Sequence, residues 1–352
     1  MIRAVGLAMS AAFAIVLLSF ARASAAQDFN DSHFHLTNYI QEGLSLPDFL
    51  KIMGDKAGRV AVFGIPLQQK WDHFESGDRA PDYYLLSDSE LYYYSFVDAM
   101  IADQYLHLSP RDRTRIDPMI TGFNPTDMYA ADHIRRVLLM YPSVFSGIGE
   151  FSVHKEFVSS KVAGHTASLL NPALDKLLTF AGEVGLVVIL HNDINTVRPA
   201  RGRPAHFDDL KTVFRAHQGT SIIWAHTGLG RFVRPTADHV ELLRELLSSA
   251  EFSHISFDIS WDEVAKWIVA DDATLDAWVR LVQAYPDRFL FGSDAVAPKT
   301  QADYLKTYEA YQKLWDRLDA DTAAKVKSRN FERIFDTARE KVRAWEAKQL
   351  RR

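Results

Sequence analysis

Short apolar runs alternate eight times with amphipathic stretches along this chain. Runs rich in β-branched and apolar residues at Asn30–Leu36, Arg59–Ile65, Asp117–Gly122, Val144–Phe151, Leu186–Asn192, Ser221–Thr227, His254–Ser260 and Arg288–Ser293 read as strands. Between most of them lie helical patterns, among them Asp127–Met140, Leu174–Val184, Phe207–His217, Asp238–Ser248 and Ala302–Leu318, with apolar residues at three-to-four spacing and charges opposite. Strands that alternate with helices are joined by parallel crossovers, so the expected class is α/β, and eight units are what a closed (β/α)8 TIM barrel needs. A length of 352 residues would by itself allow two domains. The repeat instead predicts one barrel domain over residues 26–352.

One interval breaks the rhythm. Leu67–Thr114, 48 residues between the second and third strands, carries nine aromatics: Trp71, Phe74, Tyr83, Tyr84, Tyr92, Tyr93, Tyr94, Phe96 and Tyr105. That density is above the 12% of the whole chain, which argues against a plain linker. Because βα loops form the active face of such barrels, the insertion is expected to be a lid or substrate wall. An extra helix packed on the barrel flank or in a subunit interface is the other reading.

The N-terminus reads Met1-Ile2-Arg3, an apolar run from Ala4 to Phe20, then Ala23-Ser24-Ala25. A basic start, an apolar centre and a small-residue exit are the parts of a secretory signal, with cleavage expected near Ala25 or Ala26. The apolar run is short for a membrane span of about 20 residues, so no stable span is expected after cleavage, and the mature protein is expected to be periplasmic or secreted. Loss of Arg3 and Arg22 would move the formal charge from −5 to −7. An acidic chain offers no electrostatic footprint for nucleic acid. A small molecule is the expected partner, and homo-oligomerisation is left open.

Zero cysteines exclude thiol nucleophiles and thiolate metal sites. Any metal must be held by nitrogen and oxygen. Candidates fall at the strand ends: Asp31, His33 and His35 on one face of the first strand by period-two alternation, Glu150 on the fourth, His191 on the fifth, His226 on the sixth and Asp294 on the eighth. Their spacings approximate one or two units of about 31 residues, as when a barrel of about 250 is divided by eight. Such a cluster is unfavourable without a partner, and a divalent cation supplies one. Imidazoles and carboxylates without thiolates suit Zn²⁺ best, as one ion or two, with Mn²⁺, Fe²⁺, Co²⁺ or Ni²⁺ admissible.

The motifs His33-Phe34-His35, His191-Asn192-Asp193, Ala225-His226-Thr227-Gly228, Gly292-Ser293-Asp294 and the tail Asn330-Phe331-Glu332-Arg333-Ile334-Phe335 together resemble the amidohydrolase superfamily, in its branch of amidohydrolase-related metal-dependent hydrolases and decarboxylases. The resemblance spans essentially the whole mature chain. It implies that His33, His35 and Asp294 ligate a first metal, that His191 completes this site or bridges toward a second, and that His226 either ligates a second metal or polarises the substrate. Many binuclear members carry a carboxylated lysine at the end of strand four, whereas this chain has Gly147-Ile148-Gly149-Glu150 there and Lys155 lies too far along. Glu150 resembles the bridging ligand of TatD-like hydrolases; a supporting glutamate beside a single metal is the alternative.

Such a site implies metal-assisted hydrolysis of an ester, lactone or amide, with Asp294 moving the proton and His226 stabilising the oxyanion if it is not a ligand. Asp31 either orients an imidazole or caps the strand end. Arg198, Arg201 and Arg203 after His191, echoed by Arg231 and Arg234, are candidates to grip an anionic substrate, Arg198 and Arg201 foremost. Their other reading is pairing with surface acids. Trp261 is a candidate side wall of the substrate pocket, with packing in the core as its other reading. Two rival functions share the scaffold: a metal-dependent decarboxylase, and a non-catalytic metal-binding barrel.

Overall fold

The computed structural model describes residues 27–164, 167–199 and 202–351. The expected signal segment and Arg201 lie outside the described residues. Eight parallel positions form the sheet: β1 Phe29–His35, β2 Ala57–Phe63, β3 Ile116–Ile120, β4 Gly147–His154, β5 Val187–Asn192, β6 Ser221–Trp224, β7 Ile255–Asp258 and β8 Phe289–Leu290. Each pairs with its sequence neighbour, and Ala295–Val296, directly after β8, pairs in parallel with β1. Residues 289–296 therefore touch β7 at one end and β1 at the other, which closes the ring of a TIM barrel.

Local chemistry explains the elements. In β5 the run Val187-Val188-Ile189-Leu190 is wholly buried, as a parallel strand covered on both faces must be. The preceding helix, Pro172–Val184, starts where the Asn171 side chain accepts the N–H of Ala173 and Pro172 fills the first turn, and it stops at left-handed Gly185. Leu174, Leu177, Leu178 and Ala181 on this helix are buried.

The tail motif closes the barrel floor. Phe331, Ile334 and Phe335 of the C-terminal helix Asn330–Gln349 cluster with the interior residues Ala61, Met119, Val187, Ile223 and Leu290. Asn330 Nδ2 donates to the carbonyls of Pro286 and Phe289 at 2.8 Å each, tying that helix to β8.

Three expectations shift. The fourth strand begins at Gly147 rather than Val144 and runs on to His154, with register breaks between Ile148 and Phe151 and between Ser152 and His154. Glu150 is therefore mid-strand, and bulges turn the last residues. The eighth strand is only two residues long before its chain bends to reach β1. The insertion is also shorter than 67–114: helix Phe96–His107 buries Val97, Ile101 and Ala102 in the main core, as an ordinary barrel helix does. What remains is an antiparallel hairpin, Leu67–Gln69 with Leu91–Tyr93, and the chain between. Tyr84 anchors it in a small cluster with Tyr39, Ile65, Leu67, Leu91 and Val158, while Trp71, Phe74 and Tyr92 are exposed.

Candidate active site

At the C-terminal ends of the strands, His33, His35, Glu150, His191 and His226 are buried to within 2% of full burial, and the Asp294 side chain is 7% exposed. Two groups share Glu150. His35 Nε2 lies 3.1 Å from Glu150 Oε2 and 3.1 Å from Asp294 Oδ1, with His33 Nε2 3.4 Å from Asp294 Oδ1. On the other side of the carboxylate, Glu150 Oε1 meets His191 Nδ1 and lies 3.7 Å from His226 Nε2. Within each group, His33, His35, Glu150 and Asp294 or Glu150, His191 and His226, the candidate donor atoms lie within 4.8 Å of one another.

Close packing and strained turns hold these side chains. A Cβ on Gly292 would stand 2.5 Å from His33 Cβ, so only glycine lets β8 approach the first histidine. His226, Thr227, Trp261 and Asp294 all have positive φ, between +50° and +76°. Each such residue costs about 1–2 kcal/mol, and the three successive strand ends β6, β7 and β8 carry this strain together.

Asp258, at the end of β7, was not among the candidates and proves central. Its Oδ2 is 2.9 Å from His33 Nδ1, and its Oδ1 accepts the backbone N–H of His226 at 2.7 Å and the hydroxyl of Ser260. Ser260 spends its one proton on Asp258, so its oxygen, 2.7 Å from His226 Nδ1, must accept from that nitrogen. His226 is thereby fixed as the Nδ1–H tautomer with an Nε2 lone pair facing the site. The Nε2 atoms of both His33 and His226 are buried without a hydrogen-bond partner among the described residues. The sequence signal was an acid at the end of the seventh strand, which the interval from His226 to Asp294 spans.

Lys155 is the second omission. It follows β4 directly, is 7% exposed and sets Nζ 3.0 Å from Glu150 Oε1. Asp193, 3.1 Å from His191 Nε2, is the third. Asp31 makes no hydrogen bond to an imidazole among the described residues. Its carboxylate accepts the N–H of His33, the N–H of Ser293 and the Ser293 hydroxyl at 3.0, 2.8 and 2.6 Å, fastening β1 to β8, and burial pushes its pKa up to about 6.

Burial by itself would depress His33, but the carboxylates of Asp258 and Asp294 overcome it and hold the imidazole well above its ordinary value. Burial keeps His226 below the ordinary value, hence neutral. Burial would likewise raise Glu150, yet Lys155 and His191 hold it well below the usual carboxylate range. Buried carboxylates crowded against imidazoles, with the Nε2 atoms of His33 and His226 left without a hydrogen-bond partner among the described residues, are the environment a divalent cation satisfies.

A cavity of about 200 Å³ opens over this centre, walled by His35, Tyr39, Tyr83, Tyr84, Lys155, Arg231, Trp261 and Asp294. Trp261 thus lies on the wall, its ring centroid 5.3 Å from that of His226. Arg198 is elsewhere: it lines a neighbouring 470 Å³ cavity with His154, Lys155, Asp193 and His206. Arg203 pairs at the surface with Asp208 and Glu245, and Arg234 stacks on Trp267. Of the described arginines only Arg231 reaches the mouth.

A (β/α)8 barrel that gathers nitrogen and oxygen donors at its strand ends defines a class of barrel enzymes built around a metal centre. The amidohydrolase family model matches residues 125–337, and the chain belongs to that family of metal-dependent hydrolases and decarboxylases. No curated protein matches it by sequence. Among solved structures it is similar to an amidohydrolase of Burkholderia multivorans with bound zinc (15% identity, 88% of this chain and 99% of that one, TM-score 0.53). It is also similar to a protein assigned as 2-pyrone-4,6-dicarboxylic acid hydrolase from Pseudomonas putida (14%, 88% and 98%, 0.51), and to a 2,6-dihydroxybenzoate decarboxylase complexed with 2,6-dihydroxybenzoate (11%, 88% and 99%, 0.50). Identities this low speak to the fold alone.

Proposed function

We propose that this chain is an exported hydrolase that acts on a small ester, lactone or amide, one with an anionic group. The observation that carries the reading is the convergence of His33, His35, Glu150 and Asp294 at the base of a small cavity whose wall presents Lys155 and Arg231. We assign His33, His35 and Asp294 as ligands of a divalent ion, zinc by donor chemistry, with Glu150 facing them and His191 and His226 on its far side. When bound, such an ion acidifies a water molecule and polarises the scissile carbonyl.

The protein's own groups do the rest. Asp294 reaches the cavity, so its free oxygen can accept the proton of the attacking water and pass it to the leaving group. His226 presents an acceptor at Nε2, which suits it to orient water or complete a metal shell. That tautomer does not donate to an oxyanion, so the role falls to the cations on the wall, Lys155 and Arg231. Trp261 and Tyr83 flank Arg231, whose guanidinium carbon is 5.6 and 5.7 Å from their ring centroids, and this frame suits a planar acid. Export rests on the Arg3-to-Ala25 pattern; mass measurement of the protein from its native host should show residues 1–25 removed.

A decarboxylase is the second reading, favoured by the same two cations, which would grip a substrate carboxylate. Zinc-loaded protein offered lactones, esters, amides and aromatic carboxylates in H₂¹⁸O separates them: label in the organic product supports hydrolysis, and CO₂ release with an unlabelled organic product supports the lyase. Absence of turnover across the whole panel would sink both.

A further inference from the structure

Glu150 divides its two oxygens between two groups of donors. Oε2 faces His33 and His35, and Oε1 faces His191 and His226. A glutamate so placed has the geometry to bridge two cations. One cation is already present on the second side: the Lys155 ammonium, 3.0 Å from Oε1 and 3.5 Å from Oε2.

We propose that Lys155 takes the place of a second metal ion, so that the centre holds one divalent ion, on the His33, His35 and Asp294 side, and a built-in ammonium on the other. The inference rests on the metal-dependent reading above.

Three observations support it. First, an ion bound to Oε1 at about 2.0–2.2 Å would share that oxygen with an ammonium held 3.0 Å from it, bringing a divalent and a monovalent cation into contact with no water between them. Second, Lys155 is poorly free to leave. Its backbone N–H donates to Ser159 Oγ at 2.8 Å, its carbonyl accepts the N–H of Val158 and of Ser159, and its side chain is 9% exposed. Third, the ammonium hydrogen-bonds to the two oxygens of Glu150, which leaves at least one of its three protons to face the cavities that Lys155 lines on either side. An ammonium in this position neutralises Glu150 as a metal would, while keeping a donor for a substrate anion.

The test is metal stoichiometry. Purified protein is equilibrated with zinc, cleared of free ion and measured by elemental analysis. One zinc per chain is expected for the wild type and for Lys155→Arg, and two for Lys155→Met. Two zinc ions in the wild type, or one in folded Lys155→Met, overturn the proposal while leaving the metal-dependent reading intact. No zinc in the wild type overturns that reading, and the proposal with it. If Lys155→Met does not fold, cobalt-substituted wild type decides: an isolated high-spin signal supports one ion, and a spin-coupled pair overturns it.

Discussion

Asp258 Oδ2 lies 2.9 Å from His33 Nδ1, while Oδ1 of the same carboxylate receives the backbone N–H of His226. One buried acid thus aims two imidazoles at the centre of the barrel mouth. Asp258→Asn replaces one acceptor oxygen with a donor and frees His33 to turn. Zinc affinity is expected to fall about 10–100-fold, read by competition with a chelating dye. An unchanged affinity would mean that the close approach of Gly292 and the Phe63 ring, whose centroid lies 5.3 Å from that of His33, are enough to orient His33.

Asp294 has φ +50°, a conformation asparagine adopts more readily than most residues. Asp294→Asn should therefore keep the fold and lose turnover, by a factor of about 10² or more. Asp294→Ala should lose the same activity and about 1 kcal/mol of stability besides, seen as a lower melting temperature. Near wild-type turnover of zinc-loaded Asp294→Asn would remove the proposed proton carrier.

Tyr84 ties the insertion to the mouth: its hydroxyl donates to Glu156 Oε1 at 2.8 Å, and Glu156 Oε2 accepts the N–H of Phe232. Tyr84→Phe should cost about 1 kcal/mol and raise KM several-fold with kcat little changed, because the wall loosens while the chemistry does not. A fall in kcat at constant KM would place Tyr84 in the reaction itself.

Asp98 is buried where it accepts the N–H groups of Thr121 and Gly122 at 2.9 Å each, and burial raises its pKa to about 7. In the unfolded chain it ionises near 3.8, so its stabilising contribution is fully present below that value and is lost as pH rises toward 7. Asp98→Asn does not titrate. The stability of the wild type relative to this variant should decline by up to about 1.4 kcal/mol per pH unit across that window. Denaturant titrations at pH 4.5 and 7.5 check the sign, and a rise in the stability of the wild type relative to the variant toward neutral pH contradicts it.

Removal of metal should abolish turnover and lower the melting temperature, and zinc should restore both. Zinc at 100 times its dissociation constant would stabilise by about 2.7 kcal/mol. Thermal scans with and without a chelator test this; identical curves would argue against an ion at the four-donor cluster.

Much of this was legible in the residues alone. The period of the apolar runs specified eight βα units, because a strand and an amphipathic helix bury different faces and the alternation admits few architectures. The absence of cysteine and the placement of His33, His35, Glu150, His191, His226 and Asp294 near strand ends specified a nitrogen and oxygen centre. The tail motif was legible as a pattern but not as a barrel floor.

The tertiary structure decided what spacing cannot express. Period-two alternation put Asp31 with the histidines, but its hydrogen bonds fasten β1 to β8. Lys155 lies five positions after Glu150, too far for one strand end, yet register breaks in β4 bring the ammonium onto the carboxylate. The division of Glu150 between two donor groups, and the grip of Asp258 on His33 and His226, arise from bulges and left-handed turns at the strand ends. Those features set directions over a few ångströms, whereas a one-dimensional interval carries only the number of residues between them.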